Sequence, residues 1–167
     1  MPARNAARPI SEELASPYGV VAHRGEEESL YVDVITKDAL YRLWDDERGA
    51  RKMERLAGGW GHTDDYHDWA VGLLEDHGKY TIALPCQQDG RSAEAAKFRG
   101  QVLEIDANRN RQERLHDPLS GLTALSSGHR FPMGIAKNKA GDLFVTDNQG
   151  NYNPFNELNH VQPSKHF

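Results

Sequence analysis

Residues 128–161 read GHRFPMGIAKNKAGDLFVTDNQGNYNPFNELNHV, and the fold is decided there. FPMGIA (131–136) is a short apolar strand, the segment around Ala140, Gly141 and Asp142 is a turn, and LFVTD (143–147) is a second strand of β-branched and aromatic residues. This is a β-hairpin. The polar segment NQGNYNPFN (148–156) follows before ELNHV (157–161) resumes as a third strand. A loop of that composition belongs at a sheet end, where its backbone carbonyls and amides are available to a partner.

The same phrase recurs upstream. Pro17, Tyr18 and Gly19 precede VVA as Pro132, Met133 and Gly134 precede IA, and the following strands LYVD (30–33) and LFVTD (143–147) also correspond. A degenerate middle copy runs through WAVGL (69–73) and KYTIAL (79–84), and each copy adds a further strand, at 39–44, 100–105 and 157–161. A strand triplet returning every ~50–60 residues with no helix between is the pattern of propeller blades joined by long loops. The expected fold class is all-β, a partial β-propeller of about three blades.

Working outward, 167 residues with 38% hydrophobic content and a mean hydropathy of -0.75 describe a polar, loop-rich chain. The net charge of -5 is spread with both signs interleaved, so no basic stripe exists for nucleic acid. No stretch is long enough to span a bilayer as a helix, and the first fifteen residues lack the apolar run of a signal peptide. A single cysteine, Cys86, excludes an internal disulfide and any Cys-x-x-Cys-His attachment of covalent haem within this chain. Charge clusters such as Glu26 to Glu28 and Asp45 to Glu47 read as solvated turns.

GGWGHTDDYHDW (58–69) differs from the other loops, because it crowds two histidines, three aspartates and three aromatic residues among glycines. Such a composition suits a site at a propeller mouth. His67 is its candidate base, with Asp68 as one candidate orienter of the imidazole; adjacent strand residues face opposite ways, so Asp64 and Asp65 are the alternatives. The His62 and His67 pair would bring two imidazoles to one face only on a helix, and the glycines and aspartates argue against a helix there. Cys86 has the character of a small inert hydrophobe.

The run from Gly128, His129 and Arg130 through Pro132, Gly134, Asp147, Asn148, Gln149 and Gly150 to ELNH (157–160) resembles the soluble quinoprotein sugar dehydrogenases. These are six-bladed propellers of the glucose/sorbosone dehydrogenase type that bind pyrroloquinoline quinone (PQQ) and calcium. YHDWAVGL (66–73) looks like the family's histidine segment and RGQVLEI (99–105) like its GKVLRI strand. A closer resemblance is to the propeller modules of planctomycete-type membrane-bound-dehydrogenase-like and haem-binding proteins.

The resemblance implies hydride transfer from an aldose or aldehyde to PQQ in the complete protein, with His67 taking the proton of the sugar hydroxyl and Asp68 beside it. It implies cofactor contacts at Arg130, Gln88, Asn148 and Gln149, and main-chain calcium ligands at Gly150 and Asn151, a carbonyl donor set that suits a hard cation. Phe131 and Met133 stand where better-known members carry amide side chains. A periplasmic location is implied as well.

Six blades need on the order of 300–450 residues, so this chain is expected to be a fragment. Residues 1–13 are expected as a flexible tail, 14–161 as the propeller fragment and 162–167 as a tail entering the next blade. The open blade faces predict association with remaining blades or with a second copy. The alternative function is a non-catalytic propeller module that binds carbohydrate or a protein partner.

Overall fold

The computed structural model describes residues 10–11, 13–25, 29–86, 92–148 and 155–167. It is a partial β-propeller of three antiparallel blades, formed by strands in the order expected from the repeats. The first blade is β1 (Gly19–Arg24), β2 (Leu30–Ile35), β3 (Ala39–Asp45) and β4 (Arg51–Gly58). The second is β5 (Val71–Asp76), β6 (Lys79–Leu84), β7 (Gln101–Asp106) and β8 (Leu122–Ser127), with one six-residue helix, α1 (Arg111–His116), between β7 and β8. The third is β9 (Pro132–Lys137), β10 (Leu143–Asp147) and β11 (Glu157–Val161). A final short strand, β12 (Lys165–His166), lies parallel to β8 at the outer edge of the second blade.

The triplets expected from the sequence are four-stranded in the first two blades. β4 escapes the pattern because RKMER at its start is charged and mostly exposed, and β8 because LTALSS is small and polar. The helix carried a readable signal: Asn110 and Glu113 form a reciprocal capping box, with the Asn110 side chain accepting from the Glu113 N–H.

Two apolar layers hold the blades together. β6 and β7 alternate their side chains between them, as a strand's period of two requires. Tyr80, Ile82, Leu84, Leu103 and Ile105 face the first blade, where they join Ile35, Leu40, Leu56 and Trp60. Ala83 and Val102 face the third blade, where they meet Leu143, Val145 and Val161. The middle blade is therefore buried on both faces, and β6 is buried continuously from Tyr80 to Leu84 rather than at alternate residues.

The recurring glycine explains the repeat. The innermost strands β1, β5 and β9 touch in succession. A Cβ at Gly19 would fall 2.1 Å from the Gly72 carbonyl oxygen, and one at Gly72 would fall 2.1 Å from Ile135 Cγ2. Backbone approaches this close leave no room for a side chain.

A buried polar hub also ties the first two blades. Asp33, fully buried on β2, takes both guanidinium bonds of Arg42 at 2.8 Å, the His23 Nε2 contact at 3.0 Å and the Tyr80 hydroxyl from β6. Burial and that hydrogen bond push the Tyr80 phenol well above its ordinary range.

Candidate functional site

Three segments meet at one end of the arc: the 59–70 loop between β4 and β5, the 128–131 entry to β9, and the 147–148 exit from β10. The first is a loop because Gly59, Gly61, Pro-free turns of Asp and Thr, and alternating ring and acid side chains offer no strand or helix period. It is nonetheless tightly held. Arg99, buried just ahead of β7, donates to the carbonyls of Gly61 at 2.5 Å, Trp69 at 2.9 Å and Asp68 at 3.1 Å. From the first blade, Lys37 Nζ donates to the Thr63 and Asp65 carbonyls at 3.0 and 2.8 Å, and Trp60 Nε1 donates to the Lys37 carbonyl at 2.8 Å. Gly61 fits only as glycine, since its Cβ would sit 2.3 Å from the Ala95 carbonyl oxygen.

His67 projects into this mouth. Its Nδ1 lies 2.9 Å from Asp65 Oδ1, and the same carboxylate oxygen accepts the His67 backbone N–H at 2.7 Å. The carboxylate on the ring is thus Asp65's and not Asp68's. Asp68 is turned inward, 1% exposed, where Oδ2 accepts the Thr63 N–H at 2.7 Å and the Thr63 hydroxyl at 2.6 Å. The reason is the local turn: an aspartate two residues before the histidine folds back onto its N–H, whereas the next residue points to the opposite side.

Aromatic rings wall the histidine. Tyr66 lies against it at 3.7 Å between centroids, Trp69 at 5.6 Å and Phe131 at 6.2 Å. Trp69 meets Phe131 edge-on at 5.1 Å and stacks on Tyr18 at 5.0 Å. Phe131 is buried in this cluster, so its departure from an amide is accounted for by packing. Met133 is exposed. The Trp69 Nε1–H is buried without a hydrogen-bond partner among the described residues, a donor whose cost is unrecovered in this state.

Asp147 fixes the Arg130 to Phe131 turn, accepting the Arg130 N–H at 2.8 Å and the Phe131 N–H at 2.6 Å. Arg130 donates from its guanidinium to the Asn148 carbonyl at 3.4 Å, and Asn148 donates its N–H to the Phe131 carbonyl at 3.0 Å. Arg130 and Asn148 are thus tied to the backbone of Phe131, whose ring lies 6.2 Å from that of His67. Gln88, Gln149, Gly150 and Asn151 fall outside the described residues, and among the described residues no three or more His, Cys, Asp or Glu side chains gather as a metal site.

The sequence did not single out His129. It is 1% exposed, its Nε2 lies 2.8 Å from Ser126 Oγ, and its Nδ1 has no hydrogen-bond partner among the described residues, with Asp147 Oδ2 at 3.8 Å. Burial lowers its pKa below the ordinary 6.5 despite the opposing pull of Asp147. The Arg99 staple was equally unread, because a buried arginine has no sequence signature beside a surface one.

No protein-family model matches the chain, and no curated protein matches it. Solved structures do. The holo PQQ domain of pyranose dehydrogenase from Coprinopsis cinerea superposes with a TM-score of 0.55 at 13% identity, over 93% of this chain and 53% of that one. PQQ-bound aldose sugar dehydrogenase from Streptomyces coelicolor matches at 14% identity over 95% of this chain and 64% of that one, with a TM-score of 0.33. A putative oxidoreductase (glucose dehydrogenase) from Thermus thermophilus matches at 12% identity over 96% and 65%, with a TM-score of 0.37. The chain spans about half the length of the Coprinopsis domain. That likeness shows the fold, a partial propeller of the PQQ-domain kind, and a fold hosts many activities.

Proposed function

We propose that the chain is part of a quinoprotein propeller that oxidises a sugar or another aldehyde-bearing substrate, with His67 as general base. The observation that carries the reading is the His67 to Asp65 contact of 2.9 Å among the rings of Tyr66, Trp69 and Phe131. A carboxylate on Nδ1 fixes the ring with its N–H on that side and leaves the Nε2 lone pair to accept a proton from a substrate hydroxyl. The same carboxylate stabilises the imidazolium that results. Bound PQQ would supply the two-electron acceptor for the hydride leaving the substrate carbon.

The residues present fit such a group. Tyr66, 72% exposed against His67, offers ring surface suited to a planar ligand, the Trp69 Nε1–H is an unused donor among the described residues, and a guanidinium such as Arg130's pairs with carboxylates in bidentate fashion where lysine does not. Calcium is proposed at the Gly150 and Asn151 carbonyls by resemblance. The complete sugar-oxidising unit, its substrate range and its periplasmic setting belong to the same proposal.

The test is titration of PQQ with calcium into the protein, followed by dye reduction with an aldose. Binding that survives His67→Gln while turnover falls by ~10²–10⁴-fold supports the reading; turnover untouched by the substitution overturns it. A second reading, carbohydrate binding without catalysis, is favoured by the 72% exposure of Tyr66 and 53% of Tyr18, since exposed ring faces stack on sugar C–H groups. Carbohydrate binding without any PQQ binding would select it.

A further inference from the structure

We propose that the outer strand of the first blade carries a further binding site, separate in its residues from the His67 mouth, for a small aryl carboxylate. A cavity of about 500 Å³ lies between β4 and α1, within the roughly 300–1,000 Å³ of small-molecule sites. Trp44, Met53, Leu115 and Pro118 give it apolar walls, and Arg111 and Arg114 stand on its helical side.

The helix is the reason the cavity exists. Arg111, Arg114 and Leu115 share one face of α1 by their i, i+3 and i+4 spacing, and all three line the gap to β4. An amphipathic helix ordinarily closes its apolar face against the sheet, but α1 buries none of its residues and Leu115 is 73% exposed. Its place is nevertheless fixed. Besides the reciprocal cap at Asn110, Arg109 donates to the carbonyls of Glu113 and Asp117, each at 3.0 Å, and Arg114 Nη2 reaches Glu54 on β4 at 2.5 Å. Polar ties at both ends thus hold the helix off its sheet and leave a preformed gap in place of a packed interface.

The charges select the ligand. Three guanidinium groups line the cavity against the single carboxylate of Glu54, in a chain whose net charge is -5. Arg55 turns its head to the Asp38 carbonyl at 3.4 Å, and Arg114 is taken up by Glu54 and the Arg109 carbonyl. Even so, the Arg114 Nε–H is buried without a hydrogen-bond partner among the described residues, a cost unrecovered by Glu54 alone. The Arg111 guanidinium makes no hydrogen bond or ion pair among the described residues, so it is open to an incoming carboxylate. Half-buried Trp44 supplies an indole face for a flat apolar body. An inorganic anion would leave the apolar walls unused, and a neutral aromatic would leave Arg111 unpaired.

The experiment is calorimetric titration of cinnamate into the 167-residue chain, with cinnamyl alcohol as the neutral probe. Cinnamate is expected to saturate a single site, about tenfold more tightly than the alcohol. Arg111→Gln should remove that advantage, weakening cinnamate by about tenfold while the alcohol and the urea melt stay unchanged, because the Arg111 guanidinium ties no other part of the fold. Leu115→Ser, also at an exposed position, should weaken both probes. Arg130→Gln should affect neither. Absence of saturable binding overturns the proposal, as do equal affinities for the two probes or a cinnamate affinity that Arg111→Gln leaves intact. A loss in Arg130→Gln overturns it as well, by locating the carboxylate at the third blade.

Discussion

Gly72 lies directly beneath Ile135, so close that a Cβ on the glycine would fall 2.1 Å from the isoleucine Cγ2 atom. The backbone at Gly72 is also left-handed, with φ at +86°. Gly72→Ala must therefore strain the chain and part the second and third blades, costs of about 1–2 kcal/mol and about 1–3 kcal/mol. A urea melt should show the sum, roughly 2–5 kcal/mol. Gly49 is the control: its φ is +74° but nothing lies within 4 Å of its Cβ position, so Gly49→Ala should cost only the backbone share of about 1–2 kcal/mol.

Asp33 is the charge on which the first two blades agree. Asp33→Ala strands the Arg42 guanidinium and the Tyr80 hydroxyl, and the expected loss is about 3–5 kcal/mol. Tyr80 adds a pH signature. Its folded pKa is raised, by burial first and then by the Asp33 hydrogen bond, so its contribution is complete below the unfolded value of 10.0 and is lost as the pH climbs above it. Melts between pH 8 and pH 11, roughly bracketing that value, should fall more steeply for the native chain than for Tyr80→Phe.

His129 gives the opposite limb. Its folded pKa is depressed, chiefly by burial, so the unfolded chain binds the proton more readily. The stability it contributes is present above the ordinary 6.5 and is lost as the pH falls through the lower folded value. The native chain should lose stability on acidification below about pH 6.5, and His129→Gln should flatten that loss. An acid limb unchanged in the variant would assign the effect to other groups.

The blades were legible because each one repeats a short physical requirement: a glycine where two inner strands touch, then β-branched strands that alternate faces. Gly19 and Gly72 carry it at the two junctions, and Gly134 repeats the phrase in sequence. The outer strands β4 and β8 were not legible, since a strand half in water needs no apolar pattern. At the mouth, His67 could be singled out from its acid and aromatic neighbours. Its true partner could not be chosen, because Asp64, Asp65 and Asp68 are equivalent in composition and differ only in the turn that the backbone takes. Arg99 and the burial of Phe131 depend on contacts between segments ~30 or more residues apart, which a linear pattern does not encode.

The two aspartates flanking His67 separate chemistry from architecture. Asp65 touches the ring at 2.9 Å, so Asp65→Asn keeps the shape and removes the charge that fixes the tautomer and supports the imidazolium. Under the proposed role, turnover should fall by ~10²–10⁴-fold with the melting behaviour little changed, because Asp65 is partly solvated. Asp68 is turned inward. Its carboxylate is buried on the Thr63 N–H and hydroxyl, so Asp68→Ala should destabilise the chain by about 1–3 kcal/mol. Any loss of turnover in that variant should track the loss of folded protein. Measured side by side by urea melts and dye-reduction rates, a large rate loss in Asp68→Ala at full folding, with Asp65→Asn unaffected, would reverse the assignment and return the orienting role to Asp68.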